Sequence, residues 1–179
     1  LDSLFSLMRD NDFTYEDVAD AEIDQSYFSV VMLYQDPDDE LKGKFSAKYN
    51  VAAALVDGEI GIDTFTEEKI ADGTINETMG KVRTRVMAKA EELLTESANG
   101  LKVKITLKDG RVFEHVTARE DTLGSQKNPW GFDAIKEKFQ ENVSRVLSAE
   151  GAAKAIETWE NIPEMTDIAT AIRSTLVAE

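Results

Sequence analysis

Leu101-Lys102-Val103-Lys104-Ile105-Thr106-Leu107-Lys108-Asp109-Gly110-Arg111-Val112-Phe113-Glu114-His115-Val116 decides the fold class. Leu101, Val103, Ile105 and Leu107 alternate with Lys102, Lys104, Thr106 and Lys108. Successive side chains of a strand point to opposite faces, so this segment is a half-buried strand with one wet face. Asp109-Gly110 is a preferred tight turn, and Arg111 to Val116 returns as the second arm of an antiparallel hairpin.

Working upstream, Val82 to Met87 reads as a further strand, and Ala88 to Thr95 has the option of a helix. Thr74 with Glu77 forms a capping-box pair that opens a helix at Ile75, and Thr66 with Glu67 and Glu68 starts a shorter one. Phe45, Tyr49, Ala52, Ala53 and Val56 share one face of a helix over Phe45–Val56. Asp57-Gly58 stops that helix, since Gly accepts the left-handed cap. Ile23 to Tyr34 is rich in Tyr, Phe and Val and reads as a well-covered strand. Leu1, Leu4, Phe5, Leu7 and Met8 recur at helical spacing up to about Arg9. A chain that opens inside an amphipathic helix has the look of a piece of something longer.

Downstream, the loop Gly124 to Gly131 leads to three helices. They are marked by Ile135, Phe139, Val143, Val146 and Leu147, then by Ala152, Ile156 and Trp159, then by Ile168, Ile172 and Leu176 after a Thr166 cap. Helices and a hairpin in mixed order give an α+β fold: a small antiparallel sheet with helices packed on one face in two layers, and a C-terminal helical segment. A length of 179 residues fits one domain over 1–179.

Composition excludes several classes. Hydrophobic residues make up 42% of the chain, enough for a packed core rather than disorder. Cysteine is absent, so no disulfide, thiolate metal site or cysteine nucleophile is available. One histidine, His115, cannot build a multi-histidine metal centre; beside Glu114 it reads as a surface or sheet-edge residue. The net charge of −15 repels nucleic-acid phosphates. No apolar run reaches the roughly 18 residues of a membrane span, and no signal peptide is visible, which points to the cytoplasm. Phosphate-loop, dinucleotide, serine-elbow and zinc-protease motifs are missing. Asp36, Asp38 and Glu40 have calcium-like spacing, but Leu41 stands where the loop needs Gly, so this is a solvated loop.

One cluster stands out in so acidic a chain. Lys42, Lys44 and Lys48 lie within seven residues, with Ser46 and Tyr49 three apart on one helical face. A helix start there adds free N–H groups and a positive dipole end, a combination suited to a carboxylate. The ordinary account of the same residues makes Ser46 a cap, Tyr49 core and the lysines solvent-facing; from the residues alone both accounts stand.

The stretch Lys44-Phe45-Ser46-Ala47-Lys48-Tyr49-Asn50-Val51-Ala52-Ala53-Ala54-Leu55-Val56-Asp57-Gly58 resembles the MmgE/PrpD family, with its S-x-x-Y-x-x-A-x-x-L-x-D-G helix. Gly61-Ile62-Asp63-Thr64-Phe65, the hairpin Val103 to Arg111, and Asn128-Pro129 followed by Lys138-Phe139 are similar to later family segments in the same order. The resemblance implies the C-terminal lid domain of a two-domain lyase or isomerase, with the all-helical N-terminal domain and most catalytic groups, the base included, outside this chain. It implies small di- or tricarboxylate substrates, no metal or organic cofactor, and a homodimer formed by the longer chain. By carry-over Tyr49 is a catalytic residue facing the site, with Ser46 and Lys48 binding substrate, although Lys48 departs from the family's usual apolar or Gln residue. The segment alone is expected to be inactive. The alternative is a non-enzymatic α+β interaction module using an apolar patch near Trp130 or Trp159.

Overall fold

The computed structural model describes residues 1–25, 34–86 and 101–175. Its contacts group into two compact units, Leu1–Asn128 and Pro129–Glu179.

The first unit is α+β, as its sequence pattern requires. Its elements are α1 (Asp2–Asp10), β1 (Val18–Gln25), α2 (Glu40–Lys44), α3 (Ala47–Asp57), α4 (Glu67–Ile70), α5 (Gly73–Met79), β2 (Val82–Val86), β3 (Leu101–Leu107) and β4 (Val112–Thr117). A 3₁₀ turn, Ile62–Phe65, joins α3 to α4. The four strands form one sheet in the order β2-β1-β3-β4. β3 pairs with both neighbours antiparallel, but β1 and β2 run parallel, so the sheet is mixed rather than purely antiparallel. A parallel pair needs a long crossover, and the intervening chain with α2 to α5 supplies it.

The β3–β4 hairpin forms as read, with a three-residue turn instead of a two-residue one. Leu107 N–H donates to Arg111 C=O at 2.9 Å, and Gly110 N–H donates to Leu107 C=O at 3.0 Å. Gly110 takes φ 89°, the left-handed position that closes such a loop. Val103, Ile105 and Leu107 are buried on the inner face. They join Val18, Ala21 and Ile23 of β1, Val82 of β2, and Leu4 and Leu7 of α1 in one core. A register shift between Val18 and Asp20 lets Val18 and Ala21, three apart, both face inward.

The outer face alternates in charge from strand to strand. β2 carries Arg83 and Arg85, β1 Asp20, Glu22 and Asp24, β3 Lys102 and Lys104, and β4 Glu114. Arg83 bridges Asp20 at 2.5 Å and Glu22 at 3.4 Å. Arg85 grips Asp24 through two bonds, of 2.7 and 2.9 Å.

α3 is buried nearly all round, with Tyr49, Val51, Ala52, Ala53, Ala54 and Leu55 inside. Its small Ala side chains let it pack closely against α5 and β2. Phe45, expected on its buried face, lies before the helix and is exposed. Gly58 stops it with φ 79°. One other start signal in this unit lies slightly off its expected position. α5 is capped by Asp72, whose carboxylate accepts from the Thr74 and Ile75 N–H groups, so Thr74 falls inside the helix. Thr66 caps α4 as expected, accepting from Lys69 N–H at 3.3 Å. The strand expected at Ile23 to Tyr34 begins earlier, at Val18; residues 26–33, and the helical option at 88–95, lie outside the described residues.

The second unit holds α6 (Phe132–Val143), α7 (Ala149–Glu160) and α8 (Ile168–Thr175). Ser148 caps α7, and Asp167, one residue after the expected Thr166, accepts from Thr170 N–H at the start of α8. α6 buries no residue, and α7 buries only Ala152 and Ala155. Phe132, Ile135, Phe139, Ile156 and Trp159 line a groove of about 380 Å³ between them.

Candidate functional site

The cluster singled out by sequence lies where α2 meets α3. Asp39 caps α2, accepting from Lys42 N–H at 2.7 Å. The Lys42 ammonium is bound to Asp38 and sits 3.3 Å from Asp39, and these carboxylates raise its pKa. Lys42 is therefore neutralised within its own loop, and the acids of the calcium-like spacing are partly spent on it.

Gly43 is set against Ile70: a Cβ there would stand 2.5 Å from Ile70 Cδ1. Ser46 is the N-cap of α3, its Oγ accepting from Tyr49 N–H at 3.2 Å, and it is fully buried. The Asn50 amide donates to the carbonyls of Gly43 at 3.0 Å and Ser46 at 2.6 Å, joining α2 to α3. Sequence reasoning passed over Asn50; its signal is an amide four residues after a capping Ser, in reach of the Ser46 carbonyl that its own backbone N–H also meets.

Among the described residues Tyr49 is the largest fully buried side chain. Its hydroxyl donates to Thr64 C=O at 2.6 Å, and Thr64 Oγ1 in turn accepts from Gly61 N–H at 3.0 Å. Burial first, then the Asp57 and Asp72 carboxylates, push the phenol up to about 12, so its proton stays on at neutral pH. The Phe65 ring lies 6.2 Å from the Tyr49 ring at 45°. On the solvent side of Phe65, Lys44 Nζ sits 5.9 Å from the ring centroid. Lys48, half-buried on the first turn of α3, has no hydrogen-bond or ion-pair partner among the described residues. Leu41, Phe45 and Ile62 are exposed nearby.

His115 stands on the edge strand β4, opposite Val103, with Nδ1 buried and unpartnered. Ser3 of α1 reaches Thr117 on the same strand, their hydroxyls 2.7 Å apart. Among the described residues no group of His, Asp and Glu is arranged to hold a metal ion, and no helix is long and apolar enough to cross a membrane.

This tip of α3 and the turn packed on it coincide with the segments whose sequence resembles a known family. The MmgE/PrpD C-terminal domain matches residues 1–162. The chain belongs to the MmgE/PrpD family. Cis-aconitate decarboxylase of Homo sapiens is 29% identical over 132 residues, covering 73% of this chain and 26% of that protein. The Mus musculus protein of the same name is 26% identical over 138 residues, covering 76% and 27%. This MmgE/PrpD chain thus spans about a quarter of the length of the curated relatives it matches.

Proposed function

We propose that this chain is the lid domain of an MmgE/PrpD-type lyase or isomerase acting on small di- or tricarboxylates, and that it forms one wall of the catalytic cleft. The observation that carries the reading is the family match over residues 1–162. The decarboxylase names of the two relatives support a lyase. Elimination, decarboxylation or epimerisation beside a carboxylate leaves negative charge on the substrate, which positive groups stabilise. In a chain of net charge −15, the lysines around the start of α3 are suited to that task, Lys44 and Lys48 being without carboxylate partners among the described residues.

Ser46 shapes this wall by capping α3. Tyr49 corresponds to a family tyrosine that faces substrate; for its phenol to reach one here, the bond to Thr64 has to open. The base that removes the Cα proton belongs to the other wall, in a longer chain that assembles as a homodimer. The test is direct: the purified chain is mixed with cis-aconitate or a methylcitrate, and product is followed by NMR. No turnover is expected from one wall alone; turnover at the level of a complete family enzyme would overturn the proposal.

A second reading, an interaction module, draws on the apolar groove between α6 and α7, where Phe132 is 57% and Trp159 41% exposed. Soluble domains seldom leave such a patch uncovered without a partner.

A further inference from the structure

Three lysines flank the start of α3, and their surroundings separate them. Lys42 is committed to Asp38 and Asp39. Lys48 has neither carboxylate nor ring to fix its long side chain among the described residues. Lys44 is exposed, has no ion-pair partner among the described residues, and rests its ammonium on the Phe65 ring.

That seat is built from the core outward. Tyr49 donates to Thr64 C=O at 2.6 Å, which fixes the backbone one residue before Phe65. The Tyr49 ring also backs the Phe65 ring at 6.2 Å. Meanwhile Asn50 grips the carbonyls of Gly43 and Ser46, the residues bracketing Lys44 and Phe45. Gly43 is wedged against Ile70 with no room for a side chain. Both the backbone that carries Lys44 and the ring beneath its ammonium are therefore held in place. A cation fixed in advance loses less freedom when an anion arrives, and an aromatic face holds it without cancelling its charge.

We infer that Lys44 is the cation this domain offers to a substrate carboxylate, and that Tyr49 is the residue that positions it, through Thr64 and Phe65. The inference rests on the carboxylate-lyase reading and names the group that meets the substrate. It gives Tyr49 an effect on substrate binding without contact between phenol and substrate.

The experiment uses the purified chain with its lysine side chains labelled at Cε, titrated with citrate as the tricarboxylate probe. Sodium sulfate at matched ionic strength is the control. Citrate is expected to shift the Lys44 resonance, saturably and beyond the sulfate control. Lys44→Gln abolishes the response and Lys44→Arg keeps it. Tyr49→Phe weakens citrate binding roughly tenfold, the size of one lost charge-assisted contact, in molecules that remain folded. Phe65→Leu, which removes the seat but leaves the buried hydroxyl bond, weakens it likewise and stands in if Tyr49→Phe does not fold. A saturable shift at Lys48 but not Lys44, or citrate affinity unchanged in both Tyr49→Phe and Phe65→Leu, overturns the inference and leaves the lyase reading intact. Silence at all three lysines overturns the inference together with the proposed substrate class.

Discussion

Tyr49→Phe isolates one oxygen atom in the core. The substitution keeps the ring and its volume, so it adds no cavity large enough to matter. It removes the only donor among the described residues that meets the Thr64 carbonyl, 2.6 Å away, with both residues buried. An acceptor left unpaired in the interior costs about 1–3 kcal/mol. With a urea dependence of about 1–3 kcal/mol per molar for a small domain, the unfolding midpoint should fall by roughly 1 M. Amide exchange at Gly61, whose N–H donates to Thr64 Oγ1, should quicken more than exchange in the middle of α3. The phenol also predicts a pH effect. Its folded pKa, about 12, lies above the ordinary value of 10.0. Its contribution is therefore complete below pH 10 and is lost as the pH rises toward 12. The wild-type chain should lose stability over that window more steeply than Tyr49→Phe. Equal midpoints in urea, unchanged exchange at Gly61 and parallel alkaline profiles would together refute the claim that the hydroxyl holds the 61–65 turn.

Other consequences follow from single contacts. Gly43→Ala places a Cβ 2.5 Å from Ile70 Cδ1 and should cost about 1–3 kcal/mol by thermal melting, with much of the loss recovered in Gly43→Ala/Ile70→Val, which removes that methyl. Arg85→Met strands the Asp24 carboxylate, whose side chain is only 5% exposed, and should destabilise the unit by about 3–5 kcal/mol in urea melts. Asp20 is held below its ordinary pKa by its hydrogen bonds to Arg83, so its contribution is present above about pH 4 and lost as the pH falls through the lowered value. Arg83→Gln should therefore lower stability at neutrality and flatten the acid limb, its profile converging on the wild-type one as the pH falls through the lowered value.

What the sequence reveals depends on how local the deciding contact is. The β3–β4 hairpin is legible because its alternation and its turn lie within one short stretch, and the inner-face set Val103, Ile105 and Leu107 follows from period alone. The start of β1 is not, since Ala19, Asp20, Ala21 and Glu22 are poor strand formers. They are extended because Arg83 and Arg85, far along the chain, neutralise the acids, and because a register shift turns Ala21 inward. The parallel pairing of β2 depends on those same distant arginines. At the candidate site, helical spacing correctly puts Ser46 and Tyr49 on one face but says nothing of what covers that face. The turn at 61–65 covers it, and the hydrogen bond from Tyr49 to Thr64 reaches fifteen residues along the chain. Once that turn is folded back, the hydroxyl read as reaching outward becomes an internal tie, and the group left facing solvent is Lys44, on the ring that the tie supports. A motif of hydroxyls at i and i+3 therefore marks where a site lies more securely than which atom works in it: the spacing is set by the helix, the exposure by its neighbours.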